Sequence, residues 1–330
     1  MLKKTFAKSA VLGLGLAGSL ALSACGAIPD QGASGFPNRT IEFIVPFGAG
    51  GASDIAARTI ADVMGGLIDP NITISNVPGG GTAVGMMQAY NQPADGYTVF
   101  FLTPSAQIVE SQQQAPVNFS EAFVPLAMMQ IDALALSIHR DNGRFSNIDE
   151  LIAYGRANPG SITIGGQSPR GLHDFIANGF AAAAGIEITF VPYDSAGEQL
   201  SAMLGGEIDV YLENVSALSG VLAANPYVNP ILVLHTERIT TVEEVAHVPA
   251  SVEIGIDFSQ GSWRALAVRY GTPQEIIDTL ENLLYQVYRS DEYQHRASLE
   301  NSNYISGWRT AAETAVIWEQ ELAAFTYIFN

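Results

Sequence analysis

The 330-residue chain carries 33 acidic residues against 15 basic ones, five histidines and one cysteine, for a formal charge of −18. So acidic a chain offers no basic patch to neutralise phosphates, which argues against a nucleic-acid partner. Every lysine (Lys3, Lys4, Lys8) lies in the first eight residues, so the rest of the chain can build neither a Gly-Lys phosphate loop nor a Schiff base.

Those lysines precede an uncharged apolar run over residues 10–22 and then Leu22-Ser23-Ala24-Cys25, the pattern of a bacterial lipoprotein signal. The expectation is a signal peptide over 1–24, lipidation of Cys25, and a Gly/Ala/Ser-rich tether over 25–35. The alternatives are a buried structural cysteine or a simple N-terminal anchor helix. The run is short for a membrane span, so the membrane is reached only through the lipid anchor. Loss of the three lysines takes the formal balance from −18 to −21. With no further cysteine there is no disulfide, and a chain this long is expected to fold by packing into two lobes.

Ile41–Val45 reads as a strand entering Pro46-Phe47-Gly48-Ala49-Gly50-Gly51-Ala52-Ser53-Asp54, with a helix from Ile55 whose apolar stripe is Ala56, Ile60, Val63, Met64 and Leu67. Three glycines in four positions allow a tight turn, and the unpaired N–H groups of the following helix make it an anion cradle. The competing reading is an ordinary connection capped by Ser53 or Asp54. A strand over 72–77 leads through Pro78-Gly79-Gly80-Gly81-Thr82 into a second helix. Asp95-Gly96 then marks a turn before a strand over 97–102, which ends in Thr103-Pro104-Ser105. The alternation predicts an α/β fold with a parallel sheet covered on both faces. In such sheets ligands gather outside the carboxyl ends of the strands, so the three turns are expected on one rim.

An apolar run over 133–138 opens a second series. A helix over 147–157 stops at Asn158-Pro159-Gly160. A strand over 162–164 enters Gly165-Gly166-Gln167-Ser168-Pro169-Arg170-Gly171 before the helix Leu172–Ala184, repeating the design of residues 41–64. A strand over 186–191 runs into Pro192-Tyr193-Asp194-Ser195, and one over 210–212 ends in Glu213-Asn214. An apolar run over 265–268 and helical patterns over 275–288 and 311–325 complete the chain, with Trp308, Trp318, Phe325 and Tyr327 expected to pack the closing helices. Two lobes facing one another with such turns would grip a small anion from both sides.

Signatures of catalysis are missing. His139, His173, His235, His247 and His295 form no metal-type pair, no Gly-x-Ser-x-Gly elbow occurs, and the dinucleotide pattern fails at Ser53 and at Val84. No cofactor, metal or catalytic residue is therefore expected. An extracellular hydrolase or transferase using Asp54 and His173 is the enzyme alternative.

In order along the chain, Pro46 to Asp54, Pro78 to Thr82, Asp95-Gly96-Tyr97-Thr98, Phe123-Val124-Pro125, Ala157-Asn158-Pro159-Gly160, Val191-Pro192-Tyr193 and Gly205-Gly206-Glu207-Ile208-Asp209 resemble the motifs of solute-binding proteins of tripartite tricarboxylate transporters, over nearly the whole mature chain. The resemblance implies a two-lobed periplasmic-binding-protein fold of type II-like architecture, with one lobe over 36–136 plus 262–330 and the other over 137–261. It implies a monomeric, non-enzymatic receptor, periplasmic or on the cell surface, that captures a small di- or tricarboxylate in the cleft and delivers it to membrane permease subunits. A sensing receptor of the same fold, serving a signalling partner, is the alternative. Carried over residue by residue, the ligand contacts implied are Gly48, Ala49, Gly50, Gly51, Ala52, Ser53 and Asp54, with Thr103, Ser105, Gly166, Gln167, Ser168, His173 and Tyr193. The chain departs from the family at Pro169-Arg170 and at Asp194-Ser195. The Arg170 guanidinium is expected to hold a distal carboxylate by paired charge-assisted hydrogen bonds, the alternative being a surface arginine.

Overall fold

The computed structural model describes residues 35–115, 117–167 and 169–329, so the signal, Cys25, tether residues 25–34 and Ser168 lie outside the described residues. One sheet combines β1 (Ile41–Val45), β2 (Ile72–Asn76), β3 (Thr98–Leu102), β4 (Phe123–Asp132), β10 (Ser262–Arg269) and β11 (Arg309–Thr310) in the order β11-β4-β10-β3-β1-β2. The other combines β5 (Leu134–His139), β6 (Ile162–Gln167), β7 (Ile188–Tyr193), β8 (Val210–Asn214) and β9 (Val228–Leu234) in the order β7-β6-β8-β5-β9. The helices of the first lobe are α1 (Ala52–Gly65), α2 (Ala83–Tyr90), α3 (Pro104–Ser111), α4 (Phe119–Ala122), α9 (Gln274–Arg289), α10 (Asp291–Leu299) and α11 (Ala311–Phe329). Those of the second are α5 (Ile148–Ala157), α6 (Leu172–Ala184), α7 (Ala196–Leu204) and α8 (Val215–Ala224).

The strands of the strand–helix alternation pair in parallel as expected, and further antiparallel strands make both sheets mixed. β1 pairs in parallel with β2 and β3, and β6 with β7 and β8, while β10 runs antiparallel to β3 and β4, and β5 antiparallel to β8 and β9. The reason is the crossing between lobes. β4 passes through Ala133 directly into β5, so β5 enters its sheet from the side at which the parallel strands end. β10 re-enters the first sheet from that same side, and each entering strand has to run against its neighbours.

The crossing is tied down by polar groups. The Asp132 carboxylate, buried at the end of β4, accepts from the Ser216 hydroxyl of α8 and from the Tyr304 hydroxyl, and Ser262 donates to Asn214 Oδ1 at 2.7 Å. Apolar packing also joins the lobes. On α11, Trp318 sits in the first-lobe core with Phe100 and Trp263, and Phe325, seven residues on and therefore on the same face, enters the second-lobe core, its ring edge-on to Phe175 at 4.4 Å. Trp308 is half-buried between Tyr285 and Tyr288, the Tyr327 side chain lies outside the described residues, and Leu67, beyond the end of α1, is exposed rather than part of its buried stripe. Among the described residues, no helix is long and apolar enough to cross a membrane.

Candidate ligand cleft

Because β1, β2 and β3 are parallel neighbours, the turns that follow them share one edge of the sheet. In the first turn, α1 begins at Ala52 with Gly51 as its N-cap, so neither Ser53 nor Asp54 caps it. Asp54 instead folds inward. Its Oδ2 accepts the Gly50 N–H at 2.8 Å and Arg58 Nε at 3.0 Å, and its Oδ1 accepts Asn76 Nδ2 at 2.9 Å. Asn76 Nδ2 also donates to the Phe47 carbonyl at 3.1 Å, tying the turn to the end of β2. Burial pushes the Asp54 carboxyl up, but these three hydrogen bonds outweigh it and hold the group below the usual carboxylate range. Asp54, expected as a ligand contact, is an ionised brace inside the turn, with its oxygens taken by Gly50, Arg58 and Asn76. Gly48, Ala49, Gly50, Gly51 and Ala52 are exposed and Ser53 is half-buried.

A cavity of about 400 Å³ lies between elements of the two lobes. Phe47 is the first turn's contribution. The second turn contributes Gly80 and Gly81, where Gly79, Gly80 and Gly81 have φ of +133°, +57° and +65°. Only glycine adopts that run without strain, and a Cβ on Gly81 would stand 2.9 Å from Val109 Cγ2. From α3 and its C-cap come Ser105, Ile108, Val109 and Gln112. Thr103 precedes this helix as its extended N-cap but is buried and does not line the cavity.

The second lobe supplies the segment after β6. That strand continues through Gln167, so Gly165 and Gly166 belong to it and not to the turn. A Cβ on Gly165 would lie 2.4 Å from Ile208 Cδ1, and one on Gly166 2.6 Å from His173 Cβ and 2.7 Å from the Phe190 ring. These glycines make room for packing, and Gly166 is buried beneath His173 rather than open to the cavity. Gln167, Pro169, Arg170, Leu172 and His173 line it. His173 Nδ1 accepts the Gln167 N–H at 3.1 Å, and burial lowers the imidazole pKa to about 4. The ring is therefore neutral, with Nδ1 accepting and the proton on Nε2. Tyr193 lies elsewhere, packed against the core that contains Met203 and Ile208 and lining a separate depression with Glu198 and Glu207. It does not line the cavity between the lobes.

In a chain with 33 acidic residues, no Asp or Glu among the described residues lines this cavity, whereas Arg170 and His173 do. Asp54 is bonded within the first turn, whereas His173 lines the cavity. Gln112, Gln114 and Leu172 carried no motif that could have announced them. The second glycine turn was visible in the sequence, but its glycines were not assigned to the ligand. Among the described residues, no group of His, Cys, Asp and Glu is arranged to hold a metal ion.

Two α/β lobes joined by direct crossings, with a cavity between them that favours anions, have the architecture of a solute-binding protein. Residues 56–316 match the Tripartite tricarboxylate transporter family receptor, and the chain belongs to that family. It is similar to the protein BugT of Bordetella pertussis, 26% identical over 274 residues that cover 82% of each chain. In fold it is similar to an R. palustris protein solved with adipate (TM-score 0.74, 23% identity, 89% of this chain and 97% of the other). It is also similar to MatC from Rhodopseudomonas palustris with bound malate (TM-score 0.73, 19% identity, 89% and 100%).

Proposed function

We propose that this receptor captures a small organic carboxylate outside the cytoplasmic membrane, between lobes that close on it, and hands it unchanged to permease subunits. The observation that carries the reading is that no carboxylate among the described residues lines the cavity in so acidic a chain, while Arg170, His173 and Ser105 do. An anion meets donors on those walls. Malate and adipate in similarly folded proteins support the ligand class. We further propose that the receptor acts as a monomer, tethered by lipid on Cys25, and that it hinges between residues 36–136 plus 262–330 and residues 137–261.

Mass spectrometry of small molecules released from protein purified without refolding, followed by calorimetric titration of mono-, di- and tricarboxylates, tests the function. A ligand at a hundredfold excess over Kd adds about 2.7 kcal/mol of stability, so a clear rise in Tm accompanies binding. A sugar or cation that raises Tm while no carboxylate does would overturn the reading.

A further inference from the structure

α3 and its C-cap lay four residues along the cavity at helical spacing: Ser105, Ile108 and Val109 from the helix, then Gln112. Positions i, i+3, i+4 and i+7 share one face, and at 1.5 Å per residue the stripe is about 10 Å long. It is polar at the Ser105 end, apolar in the middle and polar again at Gln112. Leu172 adds an apolar side chain from the other lobe.

The Gln112 end is built from both lobes. Gln112 Nε2 donates to the Arg170 carbonyl at 2.7 Å, and the Arg170 N–H donates to Asp174 Oδ2 at 2.8 Å. Between these two bonds Arg170 is held at φ +56°, a left-handed conformation uncommon for a residue with a side chain, which persists where its surroundings over-determine it. The Asp174 bond lies within the second lobe. The Gln112 bond comes from the first, so it exists only while the lobes are together. Among the described residues the Arg170 guanidinium forms no ion pair, although the chain is rich in carboxylates.

We propose that Gln112 and Arg170 form a closure-dependent subsite for the second carboxylate of an unbranched dicarboxylate whose middle is plain hydrocarbon. The inference rests on the reading of this cavity as a carboxylate site. Closure lets Gln112 fix the Arg170 backbone, which aims the planar guanidinium for two parallel hydrogen bonds to the distal carboxylate. A monocarboxylate leaves that cation unmatched. A hydroxyl on the ligand's middle carbons faces Ile108, Val109 and Leu172, where it finds no partner. Gln112 is a positioning residue and Arg170 sets specificity.

The test is calorimetric titration of adipate, malate and hexanoate against wild type, Gln112→Ala, Arg170→Ala, Arg170→Lys and the Gln112→Ala/Arg170→Ala double variant. Wild type is expected to bind adipate about tenfold or more tighter than malate or hexanoate. Arg170→Ala should weaken adipate by about ten- to a hundredfold and leave hexanoate nearly unchanged, with Arg170→Lys recovering part of the loss. Gln112→Ala should weaken adipate by about three- to tenfold, and adding it to Arg170→Ala should cost nothing more, because it acts through that side chain. Additive losses, equal losses for adipate and hexanoate, or tighter binding of malate would overturn the proposal while leaving the carboxylate receptor intact. Failure of every carboxylate to bind wild type would overturn both.

Discussion

Acid should act on this protein through His173. The imidazole is only 7% exposed, and its Nδ1 is committed to accepting the Gln167 N–H, so protonation both removes an acceptor and places a charge where burial has lowered the pKa from 6.5 to about 4. Since the folded state holds this pKa below that of the unfolded chain, the neutral ring contributes stability that is complete above pH 6.5 and is lost as pH falls toward 4. At about 1.4 kcal/mol per pH unit, the gap corresponds to about 3 kcal/mol, most of it gone by about pH 4.5. The raw acid profile will not isolate this effect. Burial pushes the carboxyls of Glu110, Asp132, Glu213 and Glu321 up, and groups shifted that way contribute stability that is present at low pH and lost as pH rises through their folded pKa values. The comparison is therefore with His173→Asn, which offers an oxygen near the Nδ1 position and does not titrate. Denaturant unfolding of both proteins at about pH 7.5 and about pH 4.5 should show the variant gaining about 2–3 kcal/mol on wild type at the lower pH. Parallel pH profiles, or a His173 resonance titrating near 6.5, would refute the reasoning.

Gly166→Ala is expected to destabilise the fold by about 1–3 kcal/mol, because its Cβ meets His173 and the Phe190 ring, and the shift in denaturation midpoint measures it. Asp54→Ala strips the acceptor from Gly50, Arg58 and Asn76 at once, which should lower stability by about 1–3 kcal/mol and speed hydrogen exchange at Gly50. Unchanged exchange there would contradict its role as the brace of the first turn. Cys25→Ala should abolish lipidation, read as the loss of acyl mass and of partitioning into detergent; a variant that retains both would remove Cys25 as the anchor.

Local chemistry made much of the fold legible. The helix Leu172–Ala184 ends where the sequence places it, between Gly171 and a left-handed Gly185, and Ile41–Val45 stands between a polar stretch and a Pro/Gly turn, because caps, turns and apolar periodicity act over a few residues. The glycine turns after β1 and β2 were legible for the same reason. Other features required the neighbours. Gly165 and Gly166 read as turn residues, and only pairing with Val191 and Pro192 of β7, and of Gly165 with Tyr211 of β8, makes them strand, while Ile208, His173 and Phe190 leave no room there for a side chain. β4 contains Pro125, which argues against a central strand, yet it falls beside an irregularity in its ladder, and Pro230 lies in β9 at the edge of its sheet, where proline is tolerated. The antiparallel course of β5 and β10 follows from the point at which the chain crosses between lobes. The bond from Asn76, twenty-two residues away, to the Asp54 carboxylate has no sign in the sequence around either residue. Gln112 and Arg170, fifty-eight residues apart on different lobes, share no motif, and only lobe packing sets one against the other and gathers, in an acidic chain, a cavity that no described Asp or Glu lines.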